Sequence, residues 1–127
     1  MSVDISSMKI LVADDSRPIR LVMKTYISQL GIEAEFAETG DEAYEKLNSA
    51  GYDLVILDIH MPGMSGMEII SKMREKGMKT PTMAMTAEDD SPLLAQCLEA
   101  GFNSFLLKPI LKEELFHIIL KTHKNIK

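Results

Sequence analysis

Five short hydrophobic runs alternate along this chain with longer stretches in which apolar residues recur at helical spacing. The runs lie at residues 9–13, 33–37, 54–57, 82–85 and 104–107. Most of them are continuous rather than alternating, as is typical of parallel strands that are buried on both faces. The pattern therefore predicts five strands of a parallel sheet.

The stretches between these runs predict five helices. Pro18 can open the first helix, and Gly31 follows its end. Residues 41–50, 66–76 and 112–122 are predicted to form three more helices. The remaining helix, fourth in chain order, can be capped by Ser91 and ends before Gly101. Alternation of strand and helix repeated five times predicts an α/β fold, with a doubly wound parallel sheet and helices on both faces. No linker interrupts it, so we expect a single domain over residues 1–127, with a core at about residues 9–123.

Composition narrows the range of partners and locations. Hydrophobic residues make up 46% of the chain and charged residues 26%, which is ordinary for a globular domain. The formal charge of -5 disfavours nucleic acid and membrane surfaces as partners, since both attract positive proteins. The single cysteine, Cys97, excludes an internal disulfide and a cysteine-based metal site. With neither a secretory signal nor a hydrophobic span in the sequence, we expect a cytoplasmic protein.

Polar residues follow four of the five predicted strands. In parallel sheets, ligands bind at the edge formed by the carboxyl ends of the strands. Asp14 and Asp15 follow the first strand, and Asp58 follows the third. Thr86 follows the fourth strand and Lys108 the fifth. We therefore expect carboxylates, a hydroxyl group and an ammonium group to meet at one edge.

These groups suit phosphoryl transfer. Two carboxylates ~4 Å apart repel by ~4 kcal/mol at an effective dielectric constant of 20, so converging acids must either share a proton or bind a cation. Oxygen ligands with open positions favour Mg²⁺, or Mn²⁺ as an alternative. A cation, the Lys108 ammonium and the Thr86 hydroxyl would neutralise and position a phosphoryl group. Asp58 would then be the nucleophile that accepts this group as an aspartyl phosphate.

Four motifs extend this interpretation over nearly the whole chain. They are VADDS at residues 12–16, LVILDIHMPGMSGME at 54–68, MTA at 85–87 and LEAGFNSFLLKP at 98–109. With them the chain resembles the receiver domain of two-component response regulators, in particular the stand-alone receivers of the chemotaxis type. The resemblance implies the flavodoxin-like receiver fold, with strand order 2-1-3-4-5. It also implies a phosphoacceptor signalling domain rather than an enzyme.

The resemblance assigns a role to each residue at the edge. Asp58 is the expected phosphoacceptor. Asp15, Asp58 and the backbone carbonyl of His60 are expected to hold Mg²⁺, and Asp14 to assist through water. The remaining two residues, Thr86 and Lys108, are expected to bind phosphoryl oxygens.

Further residues are expected to regulate the site. The resemblance implies a cis peptide bond between Lys108 and Pro109. It also implies a switch in which the Phe105 ring moves inward when Thr86 moves toward the phosphoryl group. His60 and Glu88 stand at positions that modulate the lifetime of the aspartyl phosphate. His60 can either orient a hydrolysing water or line an exposed loop.

The last predicted helix carries two apolar stripes. Phe116, Leu120 and His123 form the second stripe, which is either a partner surface or part of a helix that is buried more widely than usual. The first stripe, which can face the sheet, consists of Leu111, Leu115, Ile118 and Ile119.

The implied partners are proteins. A histidine kinase or a histidine phosphotransfer protein is the expected donor. The expected output is a downstream protein target or a homodimer, formed through the fourth helix, fifth strand and fifth helix. An intermediate phosphorelay carrier, which passes the phosphoryl group to another histidine protein, is an open alternative.

Other functions are disfavoured by particular residues. A metal-dependent phosphatase that uses an aspartyl phosphate commonly needs a second Asp where this chain has His60. A flavin-binding module needs a phosphate loop after the first strand, whereas this chain has acids there, which repel a phosphate. A DNA-binding regulator is disfavoured because no basic module follows the receiver-like segment.

Overall fold

Five parallel strands form one sheet in the order β2-β1-β3-β4-β5. The computed structural model describes residues 4–126. The strands are β1 (Ile10–Ala13), β2 (Glu35–Ala37), β3 (Leu54–Asp58), β4 (Thr82–Thr86) and β5 (Ser104–Leu107). The predicted fold class and the strand order implied by the resemblance are both confirmed. β2 is two residues shorter than its hydrophobic run, because pairing with β1 begins at Glu35.

Four helices connect successive strands and a fifth follows the last strand, as predicted. They are α1 (Arg17–Ser28), α2 (Gly40–Ser49), α3 (Gly66–Glu75), α4 (Ser91–Ala100) and α5 (Lys112–Lys124), and a short 3-10 helix (Ile5–Ser7) precedes β1. The predicted cap of α4 is wrong by one residue. Asp90, not Ser91, has extended backbone and accepts a hydrogen bond from the Leu93 N–H, at 3.3 Å. Within residues 4–126, no helix is long and apolar enough to cross a bilayer.

Successive residues of each strand pack on opposite faces of the sheet, so both faces are buried. Leu11 of β1 belongs to a cluster with residues of α2, α3 and α4. The next residue, Val12, belongs to a second cluster with residues of α1 and α5. Burial on both sides explains why the strand runs are continuously hydrophobic. The single cysteine, Cys97, is fully buried in the first cluster, and burial raises the pKa of its thiol.

One predicted core position of α5 is exposed. Leu115 and Ile119 are buried against the sheet, and Ile118 is partly buried in the same cluster. Leu111, however, is 53% exposed, because it is the residue that precedes the first turn of α5 and its backbone is extended. The helical spacing used for the prediction does not apply to a residue outside the helix.

The Arg74 side chain bonds to two loops at the amino-terminal edge of the sheet. Its guanidinium donates to the backbone carbonyls of Gly101, Met78 and Thr80, and to the side chain of Asn103, at 2.8–3.1 Å. One side chain therefore satisfies acceptors in the α3–β4 and α4–β5 loops.

Candidate functional site

Asp14, Asp58 and Lys108 meet at the carboxyl edge of the sheet. Asp14 directly follows β1, Asp58 is the last residue of β3, and Lys108 directly follows β5. The Lys108 Nζ lies 2.8 Å from Asp14 Oδ2 and 3.1 Å from Asp58 Oδ2. Both carboxylates are buried, at 0% and 4% exposure. One ammonium group is thus shared between two buried acids.

Local backbone hydrogen bonds orient both carboxylates. Asp58 Oδ1 accepts from the His60 N–H at 3.0 Å, and Asp14 Oδ1 accepts from the Ser16 N–H at 2.7 Å. Asp58 Oδ2 also accepts a hydrogen bond from Lys108. Asp14 Oδ2 has the ion pair with Lys108 but no aligned hydrogen bond among the described residues, although it is fully buried. A buried oxygen in this state favours an additional cation or water nearby.

The surroundings of Asp58 and Lys108 raise the pKa values of both groups. Burial raises the pKa of Asp58, and the Asp14 charge acts in the same direction, while the His60 N–H and Lys108 oppose them. Burial by itself would lower the pKa of Lys108, but the two carboxylates outweigh it and raise that pKa. Lys108 is therefore held charged, yet it does not fully compensate the acids around it.

A third carboxylate completes an oxygen-rich cluster. Asp14, Asp15 and Asp58 each offer one oxygen, and these three atoms lie within 4.8 Å of one another. Asp15 is exposed, whereas the other two are buried. Three carboxylates with one exposed side are the donor set that Mg²⁺ prefers, because it keeps several waters when it binds. The residues present fit the metal that the sequence predicts.

Thr86 lies beside this cluster but does not contact it through a hydrogen bond. It is the last residue of β4 and is buried, one position beyond the residue that pairs with Asp58. Its Oγ1 accepts from the Glu88 N–H at 3.0 Å. Its backbone carbonyl accepts from the Lys108 N–H at 2.8 Å. The structure therefore joins Asp14, Asp58 and Lys108 directly, and places the Thr86 side chain in a separate hydrogen bond.

His60 and Glu88 form a side-chain bridge that the sequence did not reveal. The His60 Nε2 lies 2.7 Å from Glu88 Oε1, and both side chains are exposed. His60 also holds Asp58 through its backbone N–H, and Glu88 holds Thr86 in the same way. The bridge thus links the β3–α3 loop to the β4–α4 loop. His60 and Glu88 each stand two residues after a site residue. This matched spacing was the signal in the sequence that could have revealed the bridge.

Arg20 is a second residue at the site whose partners the sequence did not show. Its guanidinium donates to the backbone carbonyl of Asp14 at 2.8 Å and forms an ion pair with Glu38 at 2.9 Å. It therefore fixes the end of β1 against the β2–α2 loop. No local pattern identifies these partners, because they are 6 and 18 residues away in the sequence.

Gly66 allows α3 to begin close against the end of β3. A Cβ at this position would lie 2.6 Å from the Asp58 carbonyl oxygen and 2.8 Å from the Ile59 Cα. Both atoms belong to backbone, which cannot move aside as a flexible side chain can. The second glycine of the PGMSG segment is thus required by the close approach of helix and strand.

The residues that the resemblance predicts to be regulatory lie in different environments. The peptide bond between Lys108 and Pro109 is cis, as predicted. Phe105 is partly buried and packs against the cluster on the α2–α4 side of the sheet. On α5, Leu120 is 44% exposed, whereas Phe116 and His123 are partly buried. The Lys112 ammonium lies 6.0 Å from the centre of the Phe116 ring. The second stripe of α5 is therefore only partly open to a partner.

Comparison with known families decides the class of protein. The family model for the response regulator receiver domain matches residues 10–120, which include every strand and all the acids of the cluster. The chain belongs to the response regulator receiver domain family. Receiver domains are phosphoacceptor signalling domains that interact with histidine kinases or phosphotransfer proteins, and they bind Mg²⁺ through acidic residues.

Solved receiver domains match over nearly their whole length. The receiver domain of the Francisella response regulator 1452 superposes with a TM-score of 0.90 at 30% identity, and the match covers 95% of this chain and 100% of that one. The receiver domain of the sensor histidine kinase PA1611 from Pseudomonas aeruginosa PAO1, solved with magnesium in its active-site cleft, gives 0.84 at 26% identity, with 93% and 98% covered.

Curated relatives are longer proteins. The transcriptional regulatory protein ResD of Bacillus subtilis (strain 168) is 38% identical over 107 residues, which are 84% of this chain and 44% of ResD. The sensor protein EvgS of Escherichia coli (strain K12) is 34% identical over 116 residues, which are 91% of this chain and 9% of EvgS. This receiver chain therefore spans less than half of the length of either relative.

Proposed function

We propose that this receiver domain accepts a phosphoryl group on Asp58 from the phosphohistidine of a histidine kinase or phosphotransfer protein, and then signals through protein contacts. One observation carries the proposal. Asp58 is a buried carboxylate at the carboxyl edge of the sheet, 3.1 Å from the Lys108 ammonium and within the acidic cluster. Burial withholds water from the nucleophile, and Lys108 supplies the positive charge that a phosphoryl group requires.

The proposed step is an in-line displacement at phosphorus. A carboxylate oxygen of Asp58 attacks, a P–O bond forms, and the P–N bond of the phosphohistidine breaks. The imidazole nitrogen leaves with the electron pair of that bond. Lys108 is positioned to pair with a phosphoryl oxygen in place of Asp58 Oδ2. The Thr86 hydroxyl can donate to another phosphoryl oxygen once it moves toward the phosphoryl group and away from the Glu88 N–H.

Asp15, Asp58 and the His60 carbonyl are the proposed direct ligands of Mg²⁺ or Mn²⁺, and Asp14 acts through water. The clustering of three carboxylates and the buried, unbonded Asp14 Oδ2 support this assignment. The magnesium in the cleft of the PA1611 receiver supports it as well. The cation would offset the combined negative charge of the acids and the phosphoryl group.

The proposed output begins at Thr86. Movement of its hydroxyl toward the phosphoryl group would break the hydrogen bond from Glu88 and leave space for Phe105, which is only partly buried. The Phe105 ring belongs to β5, so its movement would change the surface formed by α4, β5 and α5. Exposed apolar residues on this surface, Leu98 of α4 and Leu120 of α5, support a downstream target or a second copy as the partner.

A phosphorelay carrier is the second candidate. The similarity of this chain to a segment of the sensor protein EvgS and to the PA1611 receiver favours it, because both relatives are described as sensors. A carrier must return its phosphoryl group to a histidine protein. Incubation of the phosphorylated chain with a histidine phosphotransfer protein distinguishes the two candidate functions, since only a carrier passes its phosphoryl group to that protein.

Incubation with acetyl phosphate or phosphoramidate tests the proposed function. With Mg²⁺ present, intact-mass measurement is expected to show the gain of exactly one phosphoryl group per chain. Excess EDTA is expected to suppress that gain, because the acidic cluster then repels the donor. Size measurement of the same samples shows whether phosphorylation drives dimerisation. Absence of labelling in Mg²⁺, or equal labelling in EDTA, contradicts the proposal.

The His60–Glu88 bridge is expected to prolong the life of the aspartyl phosphate. It holds the two loops that carry Asp58 and Thr86 together, so its loss should open an approach for water. His60→Asn and Glu88→Gln should therefore each accelerate dephosphorylation severalfold, as measured by the decay of the phosphorylated mass.

A double-mutant cycle separates the bridge from the individual residues. If one interaction is responsible, the double variant should decay no faster than either single variant. Asp89→Asn, which changes an exposed neighbouring acid, serves as the control. Unchanged rates in both single variants, or fully additive effects, would mean that the bridge has no role and that His60 merely lines the loop.

A further inference from the structure

A cleft lies at the edge of the sheet opposite to Asp58. It is a cavity of about 450 Å³ between the carboxyl-terminal half of α5 and the amino-terminal ends of β4 and β5. This volume is within the range of ~300–1,000 Å³ that is typical of small-molecule sites. The cleft is lined by none of the residues that are expected to take part in phosphorylation.

The mouth of the cleft is rich in hydrogen-bond donors. The lining includes the Ser104 hydroxyl, the His117 imidazole, the Lys121 ammonium and the Asn125 amide. Within residues 4–126, none of these four side chains makes a hydrogen bond or ion pair. Among the described residues, no Asp or Glu lines the cleft itself, although acids outnumber bases in the chain by 19 to 14, and Glu113 and Glu114 line only the adjoining groove along β5. The local environment therefore favours an anion.

The floor of the cleft is apolar. Met83 of β4 is 6% exposed, and Ile118 of α5 is partly buried in the same core cluster. Asn103 lies beside them, and its Oδ1 is already occupied by the Thr82 N–H and by Arg74. The wall that includes Asn103 is therefore rigid, whereas the Lys121 side chain at the mouth is exposed and can adapt to a ligand.

We propose that this cleft binds a small organic anion, a carboxylate or phosphate attached to an apolar body. Lys121 and His117 would bind the anionic group, and Ser104 and Asn125 would donate further hydrogen bonds. The apolar body would rest on Met83 and Ile118, where burial of its surface adds affinity that an inorganic anion does not gain. The cleft is separate from Asp58, so this proposal does not depend on the proposed phosphorylation.

Titration with phenyl phosphate, followed by the backbone amide signals of the ¹⁵N-labelled protein, tests the proposal. Saturable shifts are expected at Ser104, Lys121 and Asn125, while the signals of His60 and Glu88 stay in place. Lys121→Gln should weaken binding by about tenfold, since it removes one charge-assisted interaction. Lys124→Gln removes the same charge from the same helical turn but lies outside the cleft lining, so it should retain full affinity.

Two further ligands distinguish the contribution of the charge from that of the apolar body. Inorganic phosphate lacks the apolar body and benzyl alcohol lacks the charge, so each should bind at least several times more weakly than phenyl phosphate. Absence of saturable shifts at the cleft overturns the proposal. Equal weakening by Lys121→Gln and Lys124→Gln also overturns it, since that would indicate diffuse attraction. Inorganic phosphate binding as tightly as phenyl phosphate would exclude the apolar contribution and thus the proposed ligand class.

Discussion

Asp58→Asn is expected to abolish phosphoryl uptake while leaving the protein folded. The amide has nearly the shape of the carboxylate but is not a nucleophile, and Lys108 keeps its ion pair with Asp14. Intact-mass measurement after incubation with acetyl phosphate and Mg²⁺ should therefore show no gain. Asp89→Asn, an exposed acid in the β4–α4 loop, should label as the unmodified protein does.

The same variant is expected to be more stable than the unmodified protein at neutral pH in the absence of divalent cations. Because folding raises the pKa of Asp58, ionisation of this carboxyl opposes folding. The penalty is absent below the unfolded pKa of 3.8 and grows as the pH rises through the higher folded value. Urea denaturation should show the advantage of Asp58→Asn at pH 7, and a smaller one in acid.

Two outcomes would contradict the assignment of Asp58. Labelling that persists in Asp58→Asn would place the acceptor at another residue, which peptide mapping of Asp14 and Asp15 would identify. A loss of stability at neutral pH would mean that the hydrogen bond from Lys108 outweighs the cost of burying the charge. The labelling and stability experiments test different properties, so each can fail without the other.

Arg74→Ala is expected to cause the largest loss of stability among the substitutions considered. It removes five hydrogen bonds from a charged donor and leaves the carbonyls of Gly101, Met78 and Thr80 and the Asn103 side chain without that partner. Charged hydrogen bonds are worth roughly 1.5–3 kcal/mol each, and water can replace part of this set, so we expect a loss of about 3 kcal/mol in the free energy of unfolding. Urea denaturation measures it.

The matched control is Arg17→Ala, which removes an exposed arginine from the first turn of α1. Its free energy of unfolding should change little, because exposed charges contribute little to stability. Arg74 lies at the opposite edge of the sheet from Asp58, so the folded fraction of Arg74→Ala should still label with acetyl phosphate. A stability loss no larger than that of Arg17→Ala would show that the loops do not depend on Arg74.

The sheet could be predicted because its determinants are local. Residues 54–57 are continuously hydrophobic, and the structure buries β3 on both faces, which is the physical cause of that pattern. Glycine residues after the helical stretches marked the ends of helices, and Gly31 and Gly101 both have positive φ. Prediction failed at Ser91 and Leu111, where a shift of one residue at a helix end changes the role of the side chain.

The order of the strands was predicted from a different source than the strands themselves. Alternation of strands and helices indicates a parallel sheet but leaves several strand orders possible. The order 2-1-3-4-5 came from the motifs shared with receiver domains, not from periodicity. Similarly, the residue types Asp, Asp, Thr and Lys at the strand ends indicated phosphoryl chemistry with Asp58 as the nucleophile, but the division of the metal-ligand roles between Asp14, Asp15 and His60 rests on the resemblance.

By itself, the amino-acid sequence determined the fold class, the five strands and the chemical groups that reach one edge of the sheet. These features depend on neighbouring residues or on spacing along one element. Only the tertiary structure decided that Lys108 is shared by Asp14 and Asp58, that His60 meets Glu88, and that the cleft beside Lys121 has a donor-rich lining. Such contacts join residues far apart in the chain, and their geometry depends on how the packed elements orient each side chain.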